Sequence, residues 1–147
     1  MTATRIDGVK LVYTYLVSVT ALMAALDATT QKLYGPPRGR PSGISEPKDF
    51  IVFSGDGGMG NPYIPMADEV FVFDCYGATQ TSARGVSAYL ADALNRADHK
   101  RVTVGSSTEL MVWGELIGGP FDLPEPELGW PRVVCRYRVV YGESVAP

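Results

Sequence analysis

The sequence has little of what catalysis or metal binding needs. Its 147 residues include one histidine, His99, and two cysteines. His99 lies in a charged segment with no second histidine or cysteine beside it, so no metal-ligand spacing is present. No Gly-x-Ser-x-Gly motif marks a serine nucleophile. We therefore predict a non-enzymatic protein with no catalytic residues, no metal and no cofactor.

The two cysteines, Cys75 and Cys135, both fall in predicted strands. An apolar strand environment disfavours a reactive thiolate, and a free cysteine packs as a small hydrophobic residue. We expect two buried free thiols, and a disulfide between them stays open as the alternative.

The chain also lacks an excess of positive charge and a long hydrophobic run. Lys and Arg number 13 against 16 Asp and Glu, which gives a net charge of −3. A protein that binds the outside of nucleic acid without sequence preference usually needs a basic face. The charge still allows a ring whose lumen DNA passes through, because a weakly acidic wall would repel the phosphates. The uncharged run 11–26 is too short to cross a bilayer comfortably, and the N-terminus has no signal-peptide pattern. We expect no membrane partner.

Hydrophobic periodicity predicts two helices. Residues 7–26 carry apolar side chains at steps of three and four, with Asp7 as the candidate N-cap. Residues 82–94 repeat this spacing. The first stripe consists of Val9, Val12, Leu16, Val19, Met23 and Leu26, and the second of Val86, Leu90 and Leu94. Each stripe is suited to packing a helix against a sheet.

Alternating side chains predict the strands. Residues 69–76 and 132–141 show the clearest period of two, and 50–53, 102–104 and 109–117 are shorter candidates. The glycines and proline at 118–120 are expected to end the strand before them, and residues 55–65 to be irregular. Since strands outnumber helices, the predicted fold class is α+β: a mostly antiparallel β-sheet with two helices packed on one face and long irregular loops.

The length fits a single domain over residues 1–147. Within it, residues 32–49 are rich in proline and glycine and are expected to form an extended loop or arm. Residues 120–131 form a second Pro-rich excursion, and residues 142–147 are expected to fray.

Residues 55–60 match the dinucleotide-binding pattern Gly-x-Gly-x-x-Gly. They follow a predicted strand, and Asp74 lies where a ribose-binding acid is expected. That mechanism requires a helix that begins at the third glycine and holds pyrophosphate at its N-terminus. Pro62 and Pro65 work against such a helix. A small nucleotide-binding enzyme using Gly55–Gly60 is the alternative from a different class, and a flexible turn is the simpler interpretation.

Three arginines share one face of the last predicted strand: Arg132, Arg136 and Arg138. They can be solvated, or paired with Glu109 and Glu115 on a neighbouring strand. Alternatively they belong to a subunit interface, because guanidinium groups suit bidentate pairing between chains. The acidic segment 124–127 of a neighbouring copy could then supply the opposite charge.

Further interface candidates are aromatic and basic residues in the loops. They are Tyr34, Arg38, Arg40, Tyr63, Phe121 and Trp130. Aromatic side chains in irregular segments often anchor interfaces, although each can instead fold back onto its own domain. Together with the three arginines, these residues are our predicted contacts to other subunits or partners.

The whole layout resembles the tail-terminator and tail-completion proteins of long-tailed bacteriophages. It is a likeness of pattern over nearly the whole chain, and the excursion 121–130 and the glycines at 55–60 have no counterpart in it. The matching segments are the amphipathic helix 7–26, Leu33-Tyr34-Gly35-Pro36-Pro37, the short strand 50–53, the strand 69–76, the small-residue helix 82–94 and the final strand 133–141.

The resemblance implies a structural virion protein without catalytic residues. Such a protein forms a homo-oligomeric ring, a hexamer, that terminates the tail tube and joins it to the head connector or stopper protein. DNA passes through the lumen without sequence recognition. The implied location is the neck of the virion tail, and the host cytoplasm during assembly. A head–tail adaptor or a minor tail subunit stays open as the alternative within this class.

Overall fold

The computed structural model describes residues 3–4, 7–26, 32–36, 39, 41, 44–60, 66–95, 97, 100–104, 107–142 and 144–145. The helices are α1 (Gly8–Ser18), α2 (Thr20–Ala25) and α3 (Gln80–Asn95). The strands are β1 (Ala3–Thr4), β2 (Leu33–Tyr34), β3 (Phe50–Gly60), β4 (Met66–Tyr76), β5 (Lys100–Val104), β6 (Ser107–Asp122), β7 (Arg132–Gly142) and β8 (Ser144–Val145). Within these ranges, none of the helices has the length and apolar character to cross a membrane.

The predicted first helix is two helices. The Asp7 carboxylate accepts a hydrogen bond of 3.0 Å from the backbone N–H of Val9 and so caps α1 as predicted. At Val19 the backbone turns extended, with φ −83° and ψ 98°, and α2 starts at the next residue. The segment 17–20 combines β-branched residues with a serine, and both kinds of side chain favour helix interiors weakly. Beyond the break the predicted stripe is buried at Leu26, whereas Met23 is half-buried and Leu22, which the stripe does not include, is fully buried.

One six-stranded sheet carries the fold, in the order β2-β3-β4-β7-β6-β5. Neighbouring strands are antiparallel except for the short parallel pair of β2 and β3. The central pair, β4 and β7, is in continuous register from Met66 opposite Gly142 to Tyr76 opposite Arg132. The predicted class, α+β with a mostly antiparallel sheet, is confirmed.

The main core lies between one sheet face and the helices. Aromatic rings from three strands meet there, and Phe53 stacks on Phe73 with ring centroids 5.3 Å apart. Phe73 in turn meets the ring of Tyr137 edge-on at 5.7 Å. Helix residues such as Leu11, Leu16 and Leu90 complete this core and are fully buried. The apolar faces predicted for both helices therefore do pack on the sheet.

Two strands run further than predicted. Residues 55–60, expected to be irregular, continue β3, and a register shift between Gly55 and Gly58 absorbs an extra residue. Gly119 and Pro120, expected to end a strand, lie inside β6. Gly119 has φ +83°, and a Cβ there would lie 2.5 Å from the carbonyl oxygen of Val134. The glycines thus permit β-bulges, which bend a strand without ending it.

The segments predicted to be irregular also have different bounds in the structure. The excursion after β6 is shorter than 120–131, since β6 continues to Asp122. The arm at 32–49 contains β2, which pairs with β3. The tail predicted to fray contains β8, which pairs with β1.

Candidate interaction surfaces

The described residues offer no cluster that could bind a metal ion. Among them, no group of three or more His, Cys, Asp or Glu side chains could hold a metal ion, and His99 lies outside the described residues. Cys75 and Cys135 are free and buried. The hydrogen bond to Cys135, together with burial, raises the pKa of the Cys75 thiol. Cys75 is therefore held as a neutral thiol, which is a poor nucleophile.

The glycine motif is part of a β-hairpin. Gly58 pairs with Glu69 and Gly60 with Ala67, so the motif leads from β3 into the antiparallel strand β4. A dinucleotide site needs a helix and a parallel strand after the glycines. Asp74, the candidate ribose ligand, is fully buried between Val52 and Val134 of the neighbouring strands. The nucleotide-binding interpretation of this motif is therefore wrong.

The three arginines of β7 lie on the sheet face away from the helices and all have partners within the chain. Arg138 Nε donates to Asp68 Oδ1 at 2.8 Å, and its Nη2 lies 2.5 Å from Asp68 Oδ2. The predicted partner Glu115 is also present, 4.0 Å from Arg138 Nη1, whereas the side chain of Glu109 lies outside the described ones. Bidentate geometry of this kind fixes one rotamer of the guanidinium. It also raises the pKa of Arg138.

The other two arginines are held differently. Arg132 Nε donates to the carbonyl oxygen of Leu123 at 2.8 Å, which ties the end of β7 to the turn before it. Arg136 Nη1 lies 3.6 Å from Asp56 Oδ2, and both side chains are about half exposed. Exposed pairs of this kind contribute little to stability. Of the three, Arg136 is the one whose guanidinium is best placed to exchange partners with another molecule.

The turn between β6 and β7 is held by hydrogen bonds between its own residues. Glu125 is buried, and its two carboxylate oxygens accept hydrogen bonds from the backbone N–H groups of Glu127 and Leu128. The Glu125 N–H donates to the carbonyl oxygen of Trp130 at 2.9 Å. Glu125 therefore caps its own turn and is unavailable as an acidic partner for the arginines of a neighbouring copy. Glu127 remains exposed.

The predicted aromatic anchors divide into two kinds. Trp130 is only 6% exposed and packs with Phe50, Val52 and Tyr76 in a second, smaller core on the sheet face away from the helices. Tyr34 packs against the same cluster and meets the ring of Phe50 edge-on at 5.9 Å. Trp130 thus folds back onto its own domain and is not an exposed anchor. Phe121, in contrast, is 56% exposed.

Three of the predicted contact residues cannot be placed. Arg38, Arg40 and Tyr63 lie outside the described residues, so their contribution to an interface stays a prediction.

The sequence reasoning missed an apolar surface along β6. Large hydrophobic side chains that are 42–60% exposed line this strand and the turn that follows it. They are Trp113, Leu116, Ile117, Phe121, Leu123 and Leu128. The signal was visible in the sequence as apolar residues on both faces of one strand, which is unusual for a strand with one face in water. Exposed apolar patches of this kind mark interaction sites.

A cavity of about 380 Å³ lies behind that strand, between α3 and the sheet. Leu116 and Tyr137 line it from the sheet, and Ser87 and Ala88 line it from α3. At one end, Arg84 forms an ion pair with Asp122, whose carboxylate also accepts a hydrogen bond of 3.1 Å from Gln80 Nε2. The hydrogen bond from Arg84 lowers the pKa of Asp122. These contacts hold the start of α3 to the end of β6.

Comparison with known proteins finds a solved structure with a similar fold. No protein-family model matches this chain, and no curated protein matches it. A chain in a solved structure of the virion of a native gene transfer agent (GTA) particle superimposes with a TM-score of 0.62. The two chains are 17% identical, and the match covers 91% of this chain and 92% of the other. This protein therefore shares its fold with a chain of a virion particle.

Proposed function

We propose that the protein is a structural virion component that forms a closed ring, terminates the tail tube and joins it to the head connector. The observation that carries the proposal is the fold likeness to a virion chain over nine-tenths of both chains. Coverage of that extent means that the likeness involves the complete α+β unit. The pattern resemblance to tail-terminator proteins is our reason for proposing this position within the particle.

The surface supports assembly as the role of this fold. The described residues contain an exposed apolar strand and no cluster able to hold a metal. A small protein that exposes such a strand gains stability by burying it against another subunit. We therefore propose a homo-oligomer, with six copies as the resemblance implies, whose partners are the tail tube protein and the head connector or stopper protein.

The charge distribution suits a lumen through which DNA passes. On the sheet face away from the helices, arginines of β7 pair with carboxylates of other strands, as Arg138 does with Asp68 of β4 and Arg136 with Asp56 of β3. The chain as a whole carries a net charge of −3. A surface of balanced or slightly negative charge gives phosphate no continuous basic track to bind. DNA would pass without sequence recognition.

The test is the location of the protein in the particle. An antibody or a gold-labelled tag on the chain is expected to mark one ring-shaped layer at the head–tail junction in electron micrographs. Particles produced without the protein are expected to carry tails of uncontrolled length that do not join heads. Label distributed along the tube would favour a tube subunit, label on the head side of the neck would favour an adaptor, and a protein absent from purified particles would contradict the proposal.

A further inference from the structure

Two strands of the sheet each have a stretch that, among the described residues, pairs with another strand on one side only. β5 pairs with β6 only as far as Met111, so within the described part of the chain residues 113–117 have a strand on the β7 side alone. On the opposite border, β2 pairs with Ile51 and Val52, and among the residues that the structure describes, 53–60 of β3 have a strand on the β4 side alone. An open edge presents unpaired N–H and C=O groups that can accept a further strand.

The open window on β6, which is the stretch of residues 113–117, is mostly apolar. Trp113, Leu116 and Ile117 are exposed, and Glu115 is the one charged residue in residues 113–117. Soluble proteins usually protect an edge with charges, bulges or proline. On β6 the register with β7 shifts between Met111 and Trp113 and again between Leu116 and Gly118, so residues 113–116 form a regular stretch between two bulges. Within that stretch, Glu115 is the one feature that opposes pairing with a further strand.

The two open edges lie at the same position along the strand direction of the sheet. This follows from the register of the four strands β6, β7, β4 and β3. One row across them contains Trp113, Val140, Asp68 and Met59. Another contains Leu116, Tyr137, Phe71 and Gly55. Since each of the three pairings is antiparallel, β3 and β6 run in opposite directions.

We infer that residues 113–117 of β6 pair with the open edge of β3 in the next copy of the chain, antiparallel and head to tail. This inference rests on the proposed function, for which it names the surface that joins ring subunits. A head-to-tail contact gives a ring if it closes and a filament if it does not. Because the two edges are level, each joint adds no shift along the strand direction, which favours closure.

A second copy fits both edges, whereas an unrelated strand would pair with one edge only. The edge of β3 is rich in glycine over residues 55–60, and it therefore leaves room for bulky side chains from the other strand. The side chains of Trp113 and Leu116 are of that kind. The joint thus combines a small-residue edge with a large-residue edge.

The exposed apolar area also matches an interface between subunits. Five half-exposed side chains lie along β6 and just after it: Trp113, Leu116, Ile117, Phe121 and Leu123. With roughly 150–250 Å² for a whole aromatic side chain, they leave on the order of 400 Å² of apolar surface in water. That is about half of the ~800 Å² that each partner contributes to a stable interface. The polar backbone of the paired edges and the surrounding loops can supply the rest.

The experiment is a cysteine cross-link between copies. The full chain carrying both Asp56→Cys and Ile117→Cys places one thiol on each open edge, and the native cysteines are buried and do not compete. Under mild oxidation we expect a ladder of covalent oligomers that ends at the size of the ring. Neither single variant should give a ladder, because the head-to-tail contact brings together one β3 edge and one β6 edge and leaves a single thiol without a partner thiol. A double variant with Asp56→Cys and Val17→Cys is the matched control, because Val17 is similarly exposed but lies on α1.

A charge substitution tests the same surface without a cross-link. Ile117→Lys is expected to raise the concentration needed for assembly at least tenfold, measured by light scattering. Val17→Lys is expected to leave assembly unchanged, and circular dichroism checks that both variants fold.

The outcomes separate this inference from the proposed function. Rings that form normally, give no ladder and tolerate Ile117→Lys overturn the edge pairing and leave the tail role intact. A wild-type chain that forms no ring and is missing from the neck overturns both. A ladder seen only in the double edge variant, with loss of assembly in Ile117→Lys, supports the pairing.

Discussion

The hydroxyl of Tyr15 donates a hydrogen bond of 2.5 Å to the backbone carbonyl of Ala93, near the end of α3. The bond is buried, and it joins two helices that are 78 residues apart in the sequence. Since the last carbonyl groups of a helix have no partner inside it, this contact satisfies one of them and fixes the position of α1 against α3.

Removal of that hydroxyl should therefore destabilise the helical layer. Tyr15→Phe is expected to lower the free energy of unfolding by about 1–2 kcal/mol, because a buried carbonyl loses a donor. Tyr89→Phe, an exposed tyrosine on α3, should change it by less than about 0.5 kcal/mol. Urea unfolding of both variants measures the difference, and equal losses would contradict the role given to Tyr15.

Alanine substitutions of the two aromatic residues near the turn between β6 and β7 are expected to affect the free energy of unfolding very differently. Trp130→Ala should cost about 3–5 kcal/mol of unfolding free energy, since it empties a position in the second core. Phe121→Ala, at an exposed position, should cost no more than about 0.5 kcal/mol in the monomer. Thermal unfolding at low protein concentration makes the comparison. A strongly destabilised Phe121→Ala monomer would show that this ring packs within its own chain.

Gly119 and Gly85 give a matched pair of glycine substitutions. Gly119→Ala should lower stability by about 1–3 kcal/mol, because φ is +83° and the new Cβ would contact the carbonyl of Val134. Gly85→Ala lies on the exposed side of α3 with open space around it, and should raise stability by about 0.5–1 kcal/mol. Denaturant midpoints of the two variants are expected to move in opposite directions. A neutral Gly119→Ala would contradict the bulge geometry.

The ion pair of Asp122 with Arg84 should appear in the pH dependence of stability. The pKa of Asp122 is lowered from its ordinary value of 3.8 by the hydrogen bond from Arg84. The unfolded chain therefore binds the proton more readily, so the contribution is present above pH 3.8 and is lost as the pH falls through the folded pKa. Melting temperatures of wild type and Asp122→Asn should differ at neutral pH and converge below pH 3.8.

The control for that experiment is Glu46→Gln, which changes an exposed carboxylate in the loop before β3. Its melting temperature should stay parallel to that of wild type across the same range. A constant difference between wild type and Asp122→Asn at every pH would show that the substitution acts through packing and not through charge.

The central strands and the long helix could be predicted because their patterns are local. Residues 69–76 and 132–141 alternate strictly, and in the fold they pair with each other across the middle of the sheet. The stripe of Val86, Leu90 and Leu94 is buried as its spacing predicts. In each case one buried face fixes the period, so the sequence alone carries the information.

The features that were missed depend on contacts between distant segments. Nothing local indicates that Trp130 turns back to pack on Phe50, or that Glu125 caps its own turn. Gly119 resembles a strand end in sequence, and only its contact with the neighbouring strand shows that it forms a bulge. The sequence shows the apolar residues of β6, but only the pairing limit of β5 at Met111 shows that they lie at an edge of the sheet.

The uninterrupted ladder between β4 and β7 has a consequence for how many different sequences can form this fold. A ladder of this kind requires alternating burial and backbone pairing, and many different residues meet that requirement. Substitutions can therefore accumulate along both strands while the sheet keeps its register. Very different sequences can therefore build this fold, as in the two chains that are 17% identical and share it over nine-tenths of their length.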